Sequence, residues 1–178
     1  MTKLVKPSID LQAEFEEFYT DFVLHDAKNA EYYSEGSIDF QSYVKRLTDE
    51  AVGINLRQGY VPCSHFWFVD SNSSILGVIR IRHNIDNEFL SLEAGHIGYD
   101  IAPSYRKQGH GSKMLEFALA IANDLGIVRA LITADEDNVA SRQVIENNGG
   151  EFEKIVTGKV FPEPLARYWV CCNKSTEA

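Results

Sequence analysis

The sequence predicts one α/β domain over residues 1–178 on a mixed sheet, with elements in the order β-α-α-β-β-β-α-β-α-β-β. Three observations predict it. Apolar spacing is helical in the first third of the chain and turns strand-like from residue 64. A glycine-containing turn in "APSYRKQGHGSKM", residues 102–114, joins a strand-like run to a helix-like one. No repeat, low-complexity tract or linker rich in Pro, Gly or Ser divides the chain.

"KLVK" reads as a short first strand. In "DLQAEFEEFYTDFVLHD", Leu11, Phe15, Phe18, Phe22 and Val23 recur at helical spacing with acids between them. "SIDFQSYVKRLTDEAVG" is a second helix, with Ser37 as the expected cap and Gly53 as the stop. "SHFWFVD" and "ILGVIRIRH" are aromatic and β-branched runs joined by "SNSS", an antiparallel hairpin. "DNEFLSLE" connects them to the strand "AGHIGYDI". After the glycine turn, Met114, Leu115, Ala118, Ile121, Ala122 and Leu125 share one helical face, and Gly126 is a ready stop. "VRALITAD" is a strand. "NVASRQVIENNGG" is a short helix with Asn138 at its cap, Arg142 and Glu146 four apart, and Gly149 at its end. "EFEKIVTGKV" and "ARYWVCC" close the sheet.

The 17 Lys and Arg against 26 Asp and Glu leave a formal net charge of −9, which repels nucleic-acid backbones and anionic lipid alike. No apolar run approaches the ~20 residues of a membrane span, and the acidic start lacks the core of a signal peptide. Cys63 and the adjacent Cys171 and Cys172 make an odd count that suits reduced thiols and a cytoplasmic location. Five scattered histidines show no ligand spacing, so no metal site is expected. The aromatic runs "FWF" and "YW" read as core, and the paired cysteines as packing at a strand end.

The glycine turn sets Arg106, Gly109 and Gly111 in an R-x-x-G-x-G spacing. A glycine turn into a helix can gather outward backbone N–H groups at the positive end of the helix dipole, an anion site that Cβ-free residues let a ligand approach closely. It can equally be a flexible way into a helix. A phosphate-cradling G-x-x-x-x-G-K-[ST] loop is absent, and so is the third glycine of a dinucleotide fingerprint.

The surroundings narrow the reading. "IGYDIAPSYRKQGHGSKML", followed by "LITADEDNVASRQVIENNGGEF", resembles the acetyl-CoA site of the GNAT superfamily, the general N-acetyltransferases, and in particular bacterial acetyltransferases without an assigned substrate. The matching positions are Ile101-Ala102-Pro103, Arg106/Gly109/Gly111, then Asn138, Ser141 and Gly149-Gly150. The resemblance covers about residues 64–172. It implies a mostly antiparallel mixed sheet flanked by helices, and acetyl-CoA as co-substrate. It also implies that the backbone of Tyr99, Asp100 and Ile101 pairs with the pantetheine arm, with a nearby N–H polarising the thioester carbonyl. By the same resemblance, Arg106, Lys107, Gln108, Gly109, His110, Gly111 and Ser112 form the pyrophosphate cradle, and Asn138 and Ser141 contact the cofactor arm.

One departure stands out. Seven residues beyond Asn138, where many relatives carry a tyrosine that protonates the departing thiolate, this chain has Ile145. For the general base, His96 has the better-suited unperturbed pKa, with Glu93 beside it. The expected activity is transfer of acetyl to a primary amine by direct attack on the thioester. The acceptor is expected where the first two helices and "GKVFPEPLA" approach the end of the "GHIGYDI" strand. Its identity is open among small amines, antibiotics, protein N-termini and lysines. The rival reading is a non-catalytic acyl-CoA sensor, and a nucleotide-binding loop is the third. A homodimer is compatible with the sequence, which does not specify oligomeric state.

Overall fold

The computed structural model describes residues 1–173. Seven strands form one sheet in the order β1-β2-β3-β4-β5-β7-β6. They are β1 (Lys3–Val5), β2 (Cys63–Val69), β3 (Ile75–Arg82), β4 (Ile97–Ile101), β5 (Arg129–Asp135), β6 (Glu151–Val156) and β7 (Leu165–Cys171). The helices are α1 (Gln12–His25), α2 (Ala27–Ala30), α3 (Ser34–Ile38), α4 (Phe40–Ala51), α5 (His110–Asp124) and α6 (Val139–Asn147). The predicted strands all form, and only β4 and β5 pair in parallel among the registers that bear on the site. The described residues divide into two compact units, Met1–Arg80 with Tyr99–His110, and Ile81–Gly98 with those from Gly111.

In the first unit an aromatic core explains the acid-and-aromatic spacing of the early helices. Phe15, Phe18 and Phe22 of α1 are buried with Phe40, Tyr43 and Leu47 of α4 against Trp67 and Val69 of β2. Rings of Phe15, Phe40, Tyr43 and Trp67 meet at centroid distances of 5.2–6.1 Å, within the range of favourable tilted pairs. Val23 lies outside this stripe and is exposed. The expected Ser37 cap is corrected. Ser37 sits inside α3, and α4 is capped by Asp39, whose carboxylate accepts from Ser42 N at 3.1 Å. Asp39 wins because it immediately precedes the first helical residue and its extended backbone aims the carboxylate at the orphan amide.

In the second unit, Met114, Leu115, Ala118, Leu119 and Ala122 of α5 are buried. Leu119 joins the predicted face, while Leu125 lies beyond the last helical residue and is exposed. Asn138 caps α6 as expected, accepting from Ser141 N at 3.0 Å. Arg142 and Glu146 do not pair with each other directly. Tyr168 of β7 stands between them, accepting from Arg142 Nε and donating to Glu146 Oε1, each at 2.8 Å.

The segment "DNEFLSLE" is more than a connector. Leu90–Ala94 forms a π-helical turn that buries Glu93. Both Glu93 carboxylate oxygens accept backbone amides of the β6–β7 loop, Lys159 at 2.7 Å, Val160 at 3.0 Å and Phe161 at 2.8 Å. Gly158 is required there because a Cβ would fall on the carboxylate. Burial opposes the charge, but these amides outweigh it and hold the Glu93 pKa below the ordinary value. A depressed carboxylate stabilises the fold above its unfolded pKa and loses that contribution as pH falls through its folded one. Glu93→Gln places an NH2 against amide donors, so its melting temperature should fall below wild type at pH 7. The difference should narrow between pH 5 and pH 3. Thermal melts across that range check this, and a pH-independent difference would contradict it.

Candidate active site

β4 is bonded differently along its two edges. On the β3 side, Arg82 N donates to His96 O at 2.8 Å and Ala102 N to Leu76 O at 2.9 Å, an antiparallel register that spans the strand. On the β5 side, Ile97 pairs with Ile132 in parallel register. His96 joins the strands just before it. Its N–H donates to Leu131 O at 2.7 Å, and its ring Nδ1 accepts from Leu131 N at 2.9 Å. The imidazole thus acts as a ladder acceptor, which makes it the neutral Nε2–H tautomer with its lone pair already used. Burial, followed by the charge of Arg82, lowers its pKa. The expectation that His96 is the general base does not fit this geometry, and neither does Glu93, which is committed to three amides. Neither place along the chain nor an ordinary side-chain pKa reports whether a lone pair is already engaged.

Beyond β4 the chain turns through Pro103–Tyr105 into α5. Two residues of the turn are left-handed, Lys107 at φ 59° and Gly109 at φ 81°. Consecutive amides around such residues form a concave nest, and the first turn of a helix has no intrahelical acceptors for its N–H groups. A Cβ built on Gly109 meets no protein atom within 4 Å, so the space over the nest is open. The residues present therefore suit a pyrophosphate. Gln108 Nε2 closes the turn on Ser104 O at 3.0 Å. His110 lies edge-on to Phe68 and Tyr105. Gly111 is buried in α5. Ser112 is tied to the end of α6, its carbonyl accepting from Asn148 Nδ2 at 3.1 Å and its hydroxyl from Asn147 Nδ2 at 3.3 Å.

Arg106 is set apart from the other cradle residues. Its amide donates to Pro103 O, and its guanidinium is shared between Ile101 O at 2.9 Å and Asp26 at 2.6 Å while lying over the Phe22 ring. Its side chain is a staple, not a phosphate ligand. Asp21 of α1 makes a parallel tie, accepting the Ser104 amide at 2.9 Å and hydroxyl at 2.6 Å. Burial raises the pKa of both aspartates, but these bonds outweigh it and leave both below the ordinary range. Asp21 of α1 and Asp26 just beyond its end thus fix the turn that carries the nest.

The side chain of Asp100 was not anticipated. Strand alternation turns it to the face opposite Tyr99 and Ile101. There its Oδ2 accepts the Tyr33 hydroxyl at 2.5 Å and lies 3.9 Å from Arg80 Nη1. Burial is the main cause of its raised pKa, opposed by Arg80 and Tyr33. The alternation was legible in "IGYDI"; the partner Tyr33, 67 residues away, was not. Ile145, at the position of the relatives' tyrosine, is fully buried under Gly150.

A seven-stranded mixed sheet with a parallel β4–β5 pair and a left-handed turn into a helix sets the chain among the α/β folds. A family model described as an acetyltransferase (GNAT) domain matches residues 10–151, and the chain belongs to that family, whose co-substrate is acetyl-CoA. Among solved structures, the microcin C7 self-immunity acetyltransferase MccE, in complex with acetyl-CoA and AMP, superposes with a TM-score of 0.71 at 14% identity, covering 96% of this chain and 92% of that one. RimL, a ribosomal L7/L12 alpha-N-protein acetyltransferase in complex with coenzyme A, gives 0.71 at 17% identity, with 96% and 93% covered. RimJ of Mycobacterium smegmatis gives 0.70 at 16% identity, with 96% and 81% covered. These likenesses share the fold. No curated protein matches.

An obstructed nest should bind CoA poorly. Gly109→Val should weaken CoA binding at least tenfold, about 1.4 kcal/mol. Gly109→Asn tolerates the left-handed backbone better while still adding a Cβ, so it should also bind weakly yet stay folded. Calorimetry with circular dichroism checks both; full affinity in either folded variant would make the turn only a helix start.

Proposed function

We propose that this enzyme transfers the acetyl group of acetyl-CoA to a primary amine, with Asp100 receiving the amine's proton. The observation that carries this reading is the placement of Asp100. It lies on the strand whose backbone, at Tyr99–Ile101, is proposed to pair with the pantetheine arm, and its carboxylate occupies a face lined by Tyr33 and Arg80. The amides from Lys107 to Ser112 hold the pyrophosphate, and Asn138 offers Nδ2 to the cofactor arm while Oδ1 caps α6. Bound acetyl-CoA supplies an activated acyl group whose thiol, of pKa about 8.5, is a fair leaving group without a phenol at residue 145. In this reading an N–H of β4 stabilises the charge developing on the carbonyl oxygen. The odd set of free cysteines, Cys63, Cys171 and Cys172, is in keeping with action in the cytoplasm, and no helix among the described residues is long and apolar enough to cross a membrane.

Asp100 suits the task because its raised pKa brings it nearer the working pH than an ordinary aspartate while Tyr33 keeps it oriented. An ammonium docked on Asp100 gives up its proton to Oδ1 or through water, and the neutral amine attacks.

Thiol release from acetyl-CoA across polyamines, amino acids, aminoglycosides and peptides tests the activity, and tight binding without turnover on any acceptor would favour a sensor. With a productive acceptor, Asp100→Asn should lower kcat/KM by ~10²-fold or more. The acid limb of kcat/KM should lie above the ordinary aspartate value of 3.8. The Tyr33 hydrogen bond favours the charged carboxylate, so Tyr33→Phe should move that limb to higher pH. An unmoved limb, or an Asp100→Asn enzyme of full activity, would return the proton to water.

A further inference from the structure

The acids near the first-unit core are mostly committed. Glu50 is held by Arg46 at 2.6 Å and His65 at 2.7 Å, and Glu35 by both Arg46 and Arg57. Asp21 and Asp26 are spent on Ser104 and Arg106. An acid cage for a polycation is therefore not available from these residues.

Arg80 is the exception among the cations of this face. It sits on β3 two residues from Val78, which the β3–β4 register places opposite Asp100, so Arg80 and Asp100 are diagonal neighbours. Their separation of 3.9 Å is an ion pair without a hydrogen bond. None of the five guanidinium donors has a hydrogen bond to another described residue, while a third of the side chain remains accessible. By contrast, Arg46, Arg106, Arg142 and Arg167 each donate at least two hydrogen bonds. The surroundings of Arg80 include the buried ring of Tyr33, which restricts water and strengthens a charged contact.

We infer that Arg80 and Asp100 form a subsite for a zwitterion, so that the acceptor is a free α-amino acid whose carboxylate is taken by Arg80 and whose ammonium by Asp100. This rests on the acetyl-transfer reading above. The charge arithmetic selects the class. The pair is net neutral with its two signs on adjacent strands, matching a ligand that carries its two charged groups on one carbon. A polyamine would set a further cation against Arg80, and a phosphate dianion would set excess negative charge against Asp100. A peptide N-terminus has no carboxylate on the neighbouring atom and would leave Arg80 unpaired. A planar guanidinium presents two parallel N–H groups to a carboxylate, a geometry that lysine does not reproduce.

The test compares L-amino acids with their carboxamides and decarboxylated amines by thiol release. The wild-type enzyme should prefer at least one amino acid over its carboxamide by ~10-fold or more in kcat/KM, mainly through KM. Arg80→Gln should collapse that ratio toward one. Arg80→Lys, the milder change should the glutamine variant fail to fold, should retain only part of it. Transfer that favours carboxamides, polyamines or peptide N-termini, or a ratio that survives Arg80→Gln, would overturn the zwitterion subsite and leave acetyl transfer standing. Absence of turnover on every amine would overturn acetyl transfer itself. Calorimetry of amino acid against carboxamide on the acetyl-CoA-loaded protein then decides the subsite separately. Amino-acid binding that is lost in Arg80→Gln supports it, and no discrimination overturns it.

Discussion

The charged contacts that fix the turn after β4 are the constraint on which the rest depends. Ala102, just past the end of β4, is bonded to β3, and the turn beyond it is held by Asp21 and Asp26. The His96 ring adds a side-chain acceptor to Leu131 N just before the Ile97↔Ile132 pair of β4 and β5. The backbone of Tyr99–Ile101 is proposed to pair with an extended amide chain such as pantetheine.

Rigidity around that strand comes from charged groups that satisfy one another locally. Asp21 and Asp26 bring α1 onto the turn after β4, and the arginine of the glycine motif is used to bind that turn to α1. Glu93 does the same for the β6–β7 loop with backbone amides alone. Each commitment removes a candidate for chemistry. What remains with chemical latitude is Asp100, raised by burial and oriented by Tyr33, and Arg80 beside it with its donors unspent.

The fold was legible because its longest elements carry strong periodicity. The phenylalanines of α1 repeat at helical spacing, and β2 and β3 are rich in aromatic or β-branched residues. The nest was legible for a similar reason, since left-handed turns draw glycine. Lys107, equally left-handed, carried no such signal. What escaped notice were long-range contacts. Asp26 and Arg106 lie 80 residues apart, and Tyr33 and Asp100 lie 67 apart, and nothing local announces either pair. The choice of Asp39 over Ser37 turned on two residues of helix start, and the π-helical turn at Leu90–Ala94 has no periodic signature at that length.

The central claim is that a backbone nest after β4 holds the donor's pyrophosphate. Amide hydrogen exchange with and without CoA reads it at the atoms concerned. The amides of Lys107 through Ser112 should exchange at least about tenfold more slowly in the CoA complex, with smaller effects through the body of α5. Saturating CoA that leaves those six amides unchanged while protecting a different segment would contradict the account.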